Sequence, residues 1–164
     1  MTGLNTEIEA LPLFWRLQNY NELAQLGLHF AGERPVYGLR SGHNIMEYTP
    51  HTIYQLANHY VKEILELPFS GPYIVGGNCQ GALIAMSVAK QLWMNDKEVS
   101  LLFCMEESPK NLYHGRIAMI FGRESKFNPY KDNANPIPEW SKYYRGTLSY
   151  DEISGQHGKF FYFP

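Results

Sequence analysis

Cys79, Glu106 and His157 are the residues whose types and chain order could do chemistry together: a thiol, a carboxylate and an imidazole. In such a set the histidine removes or shares the thiol proton. The carboxylate fixes the imidazole tautomer and supports its positive form, and a backbone N–H receives the charge that develops on a tetrahedral oxyanion. The N–H of Gln80 is the first candidate donor. Losing one oxyanion donor typically costs about 3 kcal/mol in the transition state, so a second donor matters. It is expected from the loop after the first strand, near Arg16 and Leu17.

Cys79 stands at the centre of Gly77-Asn78-Cys79-Gln80-Gly81, which has the spacing of a nucleophile elbow with Cys where Ser usually stands. A sharp strand-to-helix turn needs small residues two before and two after its centre, so that the backbones can pass. It also predicts a positive φ at Cys79, rare for a non-glycine residue. At a helix N-terminus, unpaired backbone N–H groups favour a thiolate. The alternative for Cys79 is a buried small hydrophobe beside a glycine-rich turn; a strand before it and a helix after it favour the elbow.

Each partner also has a rival reading. Glu106 competes with Glu107, and either reads as an ordinary solvated residue just past a buried strand. Successive residues leaving a strand point to opposite faces, so Glu106 is expected nearer His157 than Glu107 is. Asp151 is a weaker rival, expected to face solvent. His157 alternatively reads as a surface histidine in a glycine-rich turn. Cys104 reads as core. His29, His43, His51, His59 and His114 are scattered without metal-ligand spacing, so neither a metal nor a cofactor is expected.

The elements that must position these groups follow from periodicity and punctuation. Leu11 to Trp15 and Pro35 to Leu39 read as short strands, with an imperfect helix over Tyr20 to Phe30 between them. Arg40 to Tyr48 reads as loop. Thr49 as N-cap and Pro50 at N1 open a helix with Ile53, Leu56, Ala57, Tyr60, Val61, Ile64 and Leu65 along one face. Pro68 and Ser70-Gly71-Pro72 stop it before a central strand from Tyr73 to Gly76. The helix from Gln80 to about Met94 should pack through Leu83, Ala85, Val88 or Ala89, and Leu92. Val99 to Met105 is nearly continuously apolar, as a parallel strand covered on both faces would be. Arg116 to Phe121 is another apolar run, Arg123 to Trp140 reads as loop or broken short helix, and Leu148 to Ile153 as the last strand. The alternation predicts an α/β fold with a mostly parallel sheet, whose functional crevice lies beyond the carboxyl ends of the strands. Cys79, Glu106 and His157 all fall at such ends.

At 164 residues, 45% hydrophobic and 18% charged, the chain reads as a single domain over 1–164 with no internal boundary. A net charge of -2 without a basic block argues against nucleic acid or an anionic membrane as partner. Two cysteines make neither a disulfide framework nor a four-ligand metal site. With no secretory segment at Met1 to Ala10 and no apolar run of transmembrane length, the expected compartment is the cytoplasm.

Several segments in order resemble the thioesterase domains that terminate nonribosomal peptide and polyketide assembly lines, members of the α/β-hydrolase superfamily. Pro12-Leu13-Phe14-Trp15 and Tyr20-Asn21-Glu22-Leu23-Ala24 look like the family's first strand and following helix. Arg34-Pro35-Val36-Tyr37-Gly38-Leu39-Arg40 is similar to its R/Q-P-V-Y-G-L-Q/R run, and Gly71 to Gly81 to its G-P-Y-x-x-G-G-x-S-x-G elbow. Glu98-Val99-Ser100 through Glu106 falls where the family reaches its acid, and Ser154-Gly155-Gln156-His157 is similar to its G-D-H. The resemblance implies nucleophile Cys79, acid Glu106 and base His157. It further implies an acyl-thioester hydrolase or acyl transferase working through an acyl-cysteine on chains borne by an acyl or peptidyl carrier protein with phosphopantetheine.

Four departures accompany the resemblance. Cys replaces the usual Ser, and Glu the usual Asp. Only Arg16-Leu17-Gln18-Asn19 stands where the family has a longer oxyanion loop. The lid is largely absent between Gly122 and Trp140, and the sequence stops at Pro164 where a closing helix would begin, which fits a minimal version of the fold or a fragment. Sparse cover predicts a homodimer. Two further readings stay open: a non-catalytic relative that binds a carrier protein or partner chain, and a cysteine-dependent ester or lactone hydrolase.

Overall fold

The computed structural model describes residues 11–15, 20–30, 35–42, 44–131, 135–157 and 160. Among these residues ten elements follow in order: β1 Leu11–Trp15, α1 Tyr20–His29, β2 Val36–Arg40, α2 Pro50–Leu65, β3 Tyr73–Asn78, α3 Gln80–Met94, β4 Val99–Met105, β5 Ile117–Gly122, α4 Ile137–Trp140 and β6 Leu148–Ile153. The six strands form one sheet in the order β2-β1-β3-β4-β5-β6, and every neighbouring pair is parallel. The strand order reverses between β1 and β3, so Cys79 leaves the first strand beyond the switch point, where open parallel sheets form their crevices.

The elbow's outgoing helix is buried on most of its circumference because it lies between the sheet and α2. Ala82, Ile84, Ala85, Met86, Val88, Ala89 and Leu92 are all fully buried, whereas Leu83 is only half-buried. Each large apolar side chain enclosed in this way contributes about 1.5–3 kcal/mol. On the α2 side the amide of Gln91 donates to the Tyr54 carbonyl at 3.2 Å, so this buried polar group is satisfied. Helix α2 starts as its sequence predicts. Thr49 N–H donates to Thr52 Oγ1 at 3.0 Å, Thr52 N–H donates to Thr49 Oγ1 at 3.2 Å, and Pro50 occupies the first turn. This reciprocal cap satisfies two donors that the helix itself cannot.

Strand β4 is buried at Leu102, Cys104 and Met105, and β5 at Ile117, Ala118, Met119 and Phe121. These runs are apolar without alternation because both faces are covered. Strand β6, at the sheet's edge, alternates half-buried and exposed residues over most of its length, with Asp151 in solvent.

The segment between β5 and β6 is short but supplies cover. Among its described residues the one helix is the single turn α4, and Trp140 stacks on Phe121 at 6.1 Å and meets Tyr150 at 6.0 Å. Trp140 is 4% exposed and Phe121 2%. The expectation of little or no lid holds for the described residues. The same stretch nevertheless closes apolar surface on β5 and β6 from within the chain.

Candidate active site

Cys79 follows β3 directly and serves as the N-cap of α3, with φ 52° and ψ −125°. The positive φ expected of an elbow is therefore present. The reason lies in close packing: a Cβ added at Gly77 would stand 2.3 Å from the backbone C and O of Gly81. The backbone before Cys79 and the first turn of α3 touch at that point, and only glycine at 77 lets them. The Cys79 N–H donates to the Met105 carbonyl at 2.7 Å, which carries the β3–β4 pairing one residue into the turn and fixes the elbow against the end of β4.

Glu106 begins where β4 ends and also has a positive φ, 58°. Its N–H donates to the Ile120 carbonyl at 2.9 Å, on the far side from Cys79. Non-glycine residues in this region cost of order 1–3 kcal/mol and persist where surrounding contacts over-determine them. Here two such residues sit at the ends of adjacent strands. The Glu106 side chain is enclosed, with the residue 2% exposed. Oε1 accepts from Gly122 N–H at 2.6 Å, and Oε2 accepts from the Ser125 hydroxyl. His157 Nδ1 lies 3.1 Å from Oε2. Facing a carboxylate, Nδ1 carries the proton and Nε2 becomes the basic nitrogen.

His157 reaches Glu106 from the loop after β6, crossing over the end of β5. Glu124 Oε2 accepts from Gly155 N–H at 2.6 Å, and Arg123 N–H donates to the Ile153 carbonyl at 2.8 Å. The Phe127 ring meets the imidazole edge-on at 4.7 Å. The imidazole is thus held from two sides, with its side chain 20% exposed. Glu107, the rival acid, instead accepts from Ser108 N–H at 2.9 Å, and Asp151 is exposed.

Of the residues singled out in the sequence, Glu106 and His157 are brought into contact, and Cys79 follows β3, the strand beside the one that Glu106 follows, at the same carboxyl end of the sheet. Gln80 is the first residue of α3, directly after Cys79. Arg16 and Leu17 lie outside the described residues. Cys104 is fully buried, and desolvation, with the nearby Glu107 second, raises its thiol pKa well above the ordinary range. Among the described residues no three His, Cys, Asp or Glu side chains converge as metal ligands do, and no helix is long and apolar enough to cross a membrane. Gly122, Ser125 and Phe127 were not singled out in the sequence. They sit in a polar turn with no period, and nothing local marks a hydroxyl that meets a carboxylate 19 residues away.

A family model described as the thioesterase domain matches residues 34–118, just over half the chain, a stretch that includes Cys79 and Glu106 and ends before His157. The nonribosomal peptide synthetase pngA of Aspergillus terreus (strain NIH 2624 / FGSC A1156) is 40% identical over 81 residues, covering 49% of this chain and 9% of that protein. Polyketide synthase PksR of Bacillus subtilis (strain 168) is 32% identical over 96 residues, covering 54% and 4%. The chain therefore corresponds to less than a tenth of the length of either curated relative. Among solved structures, the RedJ thioesterase from the prodiginine biosynthetic pathway in Streptomyces coelicolor superposes with a TM-score of 0.71 at 12% identity, over 96% of this chain and 81% of that one. The NocB thioesterase domain from the nocardicin cluster gives 0.68 at 17% identity, over 92% and 85%. At these identities the superpositions establish a shared fold.

Proposed function

This chain belongs to the thioesterase domain family, and from that premise we propose that it is an acyl-thioester hydrolase or acyl transferase with Cys79 as nucleophile, Glu106 as acid and His157 as base. The observation that carries the reading is the buried Glu106 carboxylate on His157 Nδ1 at 3.1 Å, beside an elbow whose central residue is a cysteine at positive φ. The proposed substrate is an acyl or peptidyl chain on the phosphopantetheine arm of a carrier protein. The support for it is that the curated relatives are nonribosomal peptide and polyketide synthases.

In the first half-reaction His157 Nε2 takes the Cys79 proton and Sγ attacks the thioester carbonyl carbon. The oxyanion is received by the Gln80 N–H and by a second donor that we assign to the Arg16–Leu17 stretch. Collapse breaks the bond to the pantetheine sulfur, which leaves with the proton from His157, and the acyl group stays on Cys79. In the second half His157 removes a proton from water, or from an amine or hydroxyl acceptor, which attacks the acyl-cysteine. The expelled Cys79 sulfur recovers a proton as the acid, amide or ester departs. Glu106 keeps its hold on the Nδ1–H throughout and supports the imidazolium that forms twice.

The test is intact-mass spectrometry of the chain mixed with acyl-pantetheine and acyl-carrier-protein thioesters. An acyl adduct on the Cys79 peptide, absent from Cys79→Ala, is the expected result. No adduct and no release above the uncatalysed rate from any thioester offered would overturn the reading and leave a non-catalytic binding domain.

A further inference from the structure

Ser125 lies in the turn after β5, 1% exposed, and its hydroxyl makes two hydrogen bonds with opposite roles. Its Oγ accepts from Phe127 N–H at 3.1 Å, so its single proton is free to be donated, and it goes to Glu106 Oε2. That is the same oxygen that faces His157 Nδ1. The other carboxylate oxygen is held by Gly122 N–H at 2.6 Å. The two donors, both from the 122–125 turn, therefore fix the plane of the carboxylate. A glutamate has one more rotatable bond than an aspartate, and ordering it has a larger rotamer cost. A carboxylate in a dry site also needs its lone pairs filled by donors of good geometry.

We propose that Ser125 is a positioning residue for the acid–base pair: its hydroxyl holds the Glu106 carboxylate in the one orientation that serves His157 Nδ1. The proposal rests on the catalytic reading of Cys79, Glu106 and His157 given above. The turn is suited to the task because it is tied to the histidine loop as well. Glu124 holds Gly155 N–H, and Phe127 lies against the imidazole, so one short segment sets the acid and the base relative to each other. It also gives a physical reason why a glutamate can serve where the related domains usually have the shorter acid: the additional methylene is constrained by a donor on each oxygen.

The test compares Ser125→Ala and Ser125→Thr in the full chain, alone and with Glu106→Gln. Expected is a fall in kcat of about tenfold or more for Ser125→Ala with KM within about twofold, because a charge-assisted hydrogen bond is lost where it acts through another residue. Ser125→Thr, which keeps the hydroxyl, should recover most of it. In the Glu106→Gln background Ser125→Ala should cost nothing further, since residues that act as a unit are not additive. A second readout does not need turnover: the proton resonance of His157 Nδ1–H should move in Ser125→Ala and return in Ser125→Thr. Wild-type turnover unchanged in Ser125→Ala, or an equal loss in both backgrounds, would overturn the proposal. A wild type that turns over no thioester would overturn the catalytic reading instead, and the resonance then decides Ser125 by itself: movement upholds the positioning role and an unmoved signal overturns it.

Discussion

Glu106 Oε2 and His157 Nδ1 meet at 3.1 Å although 51 residues of chain separate them, and the neighbouring Glu107 turns back to its own Ser108 N–H. Positive φ at Glu106 is what turns the chain at the end of β4, and the donors from Gly122 and Ser125 fill the pocket its carboxylate enters. The relationship assigns the two acids different fates, and mutagenesis can separate them.

Glu106→Gln should lower kcat at least about tenfold, because an amide cannot hold the Nδ1–H tautomer or support an imidazolium as a carboxylate does. Glu107→Gln should leave kcat within about twofold. Steady-state kinetics on one thioester substrate would check both; a damaged Glu107 variant beside an intact Glu106 variant would transfer the acid's role.

Gly77→Ala should destabilise the chain by about 1–3 kcal/mol, the usual cost of forcing extra volume into packed structure. Its Cβ would meet the Gly81 backbone at 2.3 Å, and a backbone cannot swing aside as a side-chain tip can. Thermal melting should show a Tm lower by several degrees. An unchanged Tm would mean that β3 and the first turn of α3 are further apart than the elbow requires.

The elbow was legible because its causes are local: a strand, a close approach that only glycine permits, and a helix follow within Tyr73–Met94. Strands β4 and β5 were legible because burial on both faces leaves uninterrupted apolar runs. Ser125 and the Gly122 N–H were not legible, since periodicity reports which face is apolar and carries nothing about which hydroxyl or amide meets a carboxylate across two strands. The inward turn of Trp140 onto Phe121 was hidden for a similar reason. Three prolines between 123 and 140 marked a break in regular structure, but not where Trp140 would pack.

Alkaline pH should unfold the chain earlier than its charge balance alone would suggest. Burial, with the Cys104 thiol second, pushes the Tyr113 phenol up to about 12, and burial also raises Tyr144 and Cys104. These groups are neutral when protonated, and their folded values lie above unfolded ones of about 10 for Tyr and 8.5 for Cys. Their contribution is complete below the unfolded values and is lost as pH rises toward the folded ones, at up to about 1.4 kcal/mol per pH unit per group. Melting curves should therefore be flat from pH 7 to about 8.5 and fall steeply between about pH 9 and 12. A Tm constant to pH 11 would mean that these side chains ionise freely in the folded chain.

Thiol labelling tests the feature on which the function depends. Cys79 is half-buried at the start of α3, and Cys104 is fully enclosed in β4 with its ionisation opposed by desolvation. The thiolate is the reacting species, so an alkylating agent near neutral pH should modify one thiol per native chain, at Cys79, and both after denaturation. His157→Ala should slow the native reaction by removing the base, and should leave the denatured rate of both thiols unchanged. Cys79→Ser bears on the same point from the other side. A hydroxyl needs more help from the base than a thiol does, so the serine variant should turn over a thioester substrate much more slowly than the wild type, although serine is usual at this position in related domains. Digestion and mass spectrometry locate the label. Equal modification of Cys79 and Cys104 in the native chain would mean that the elbow does not present its thiol, and would remove the nucleophile from the proposed mechanism.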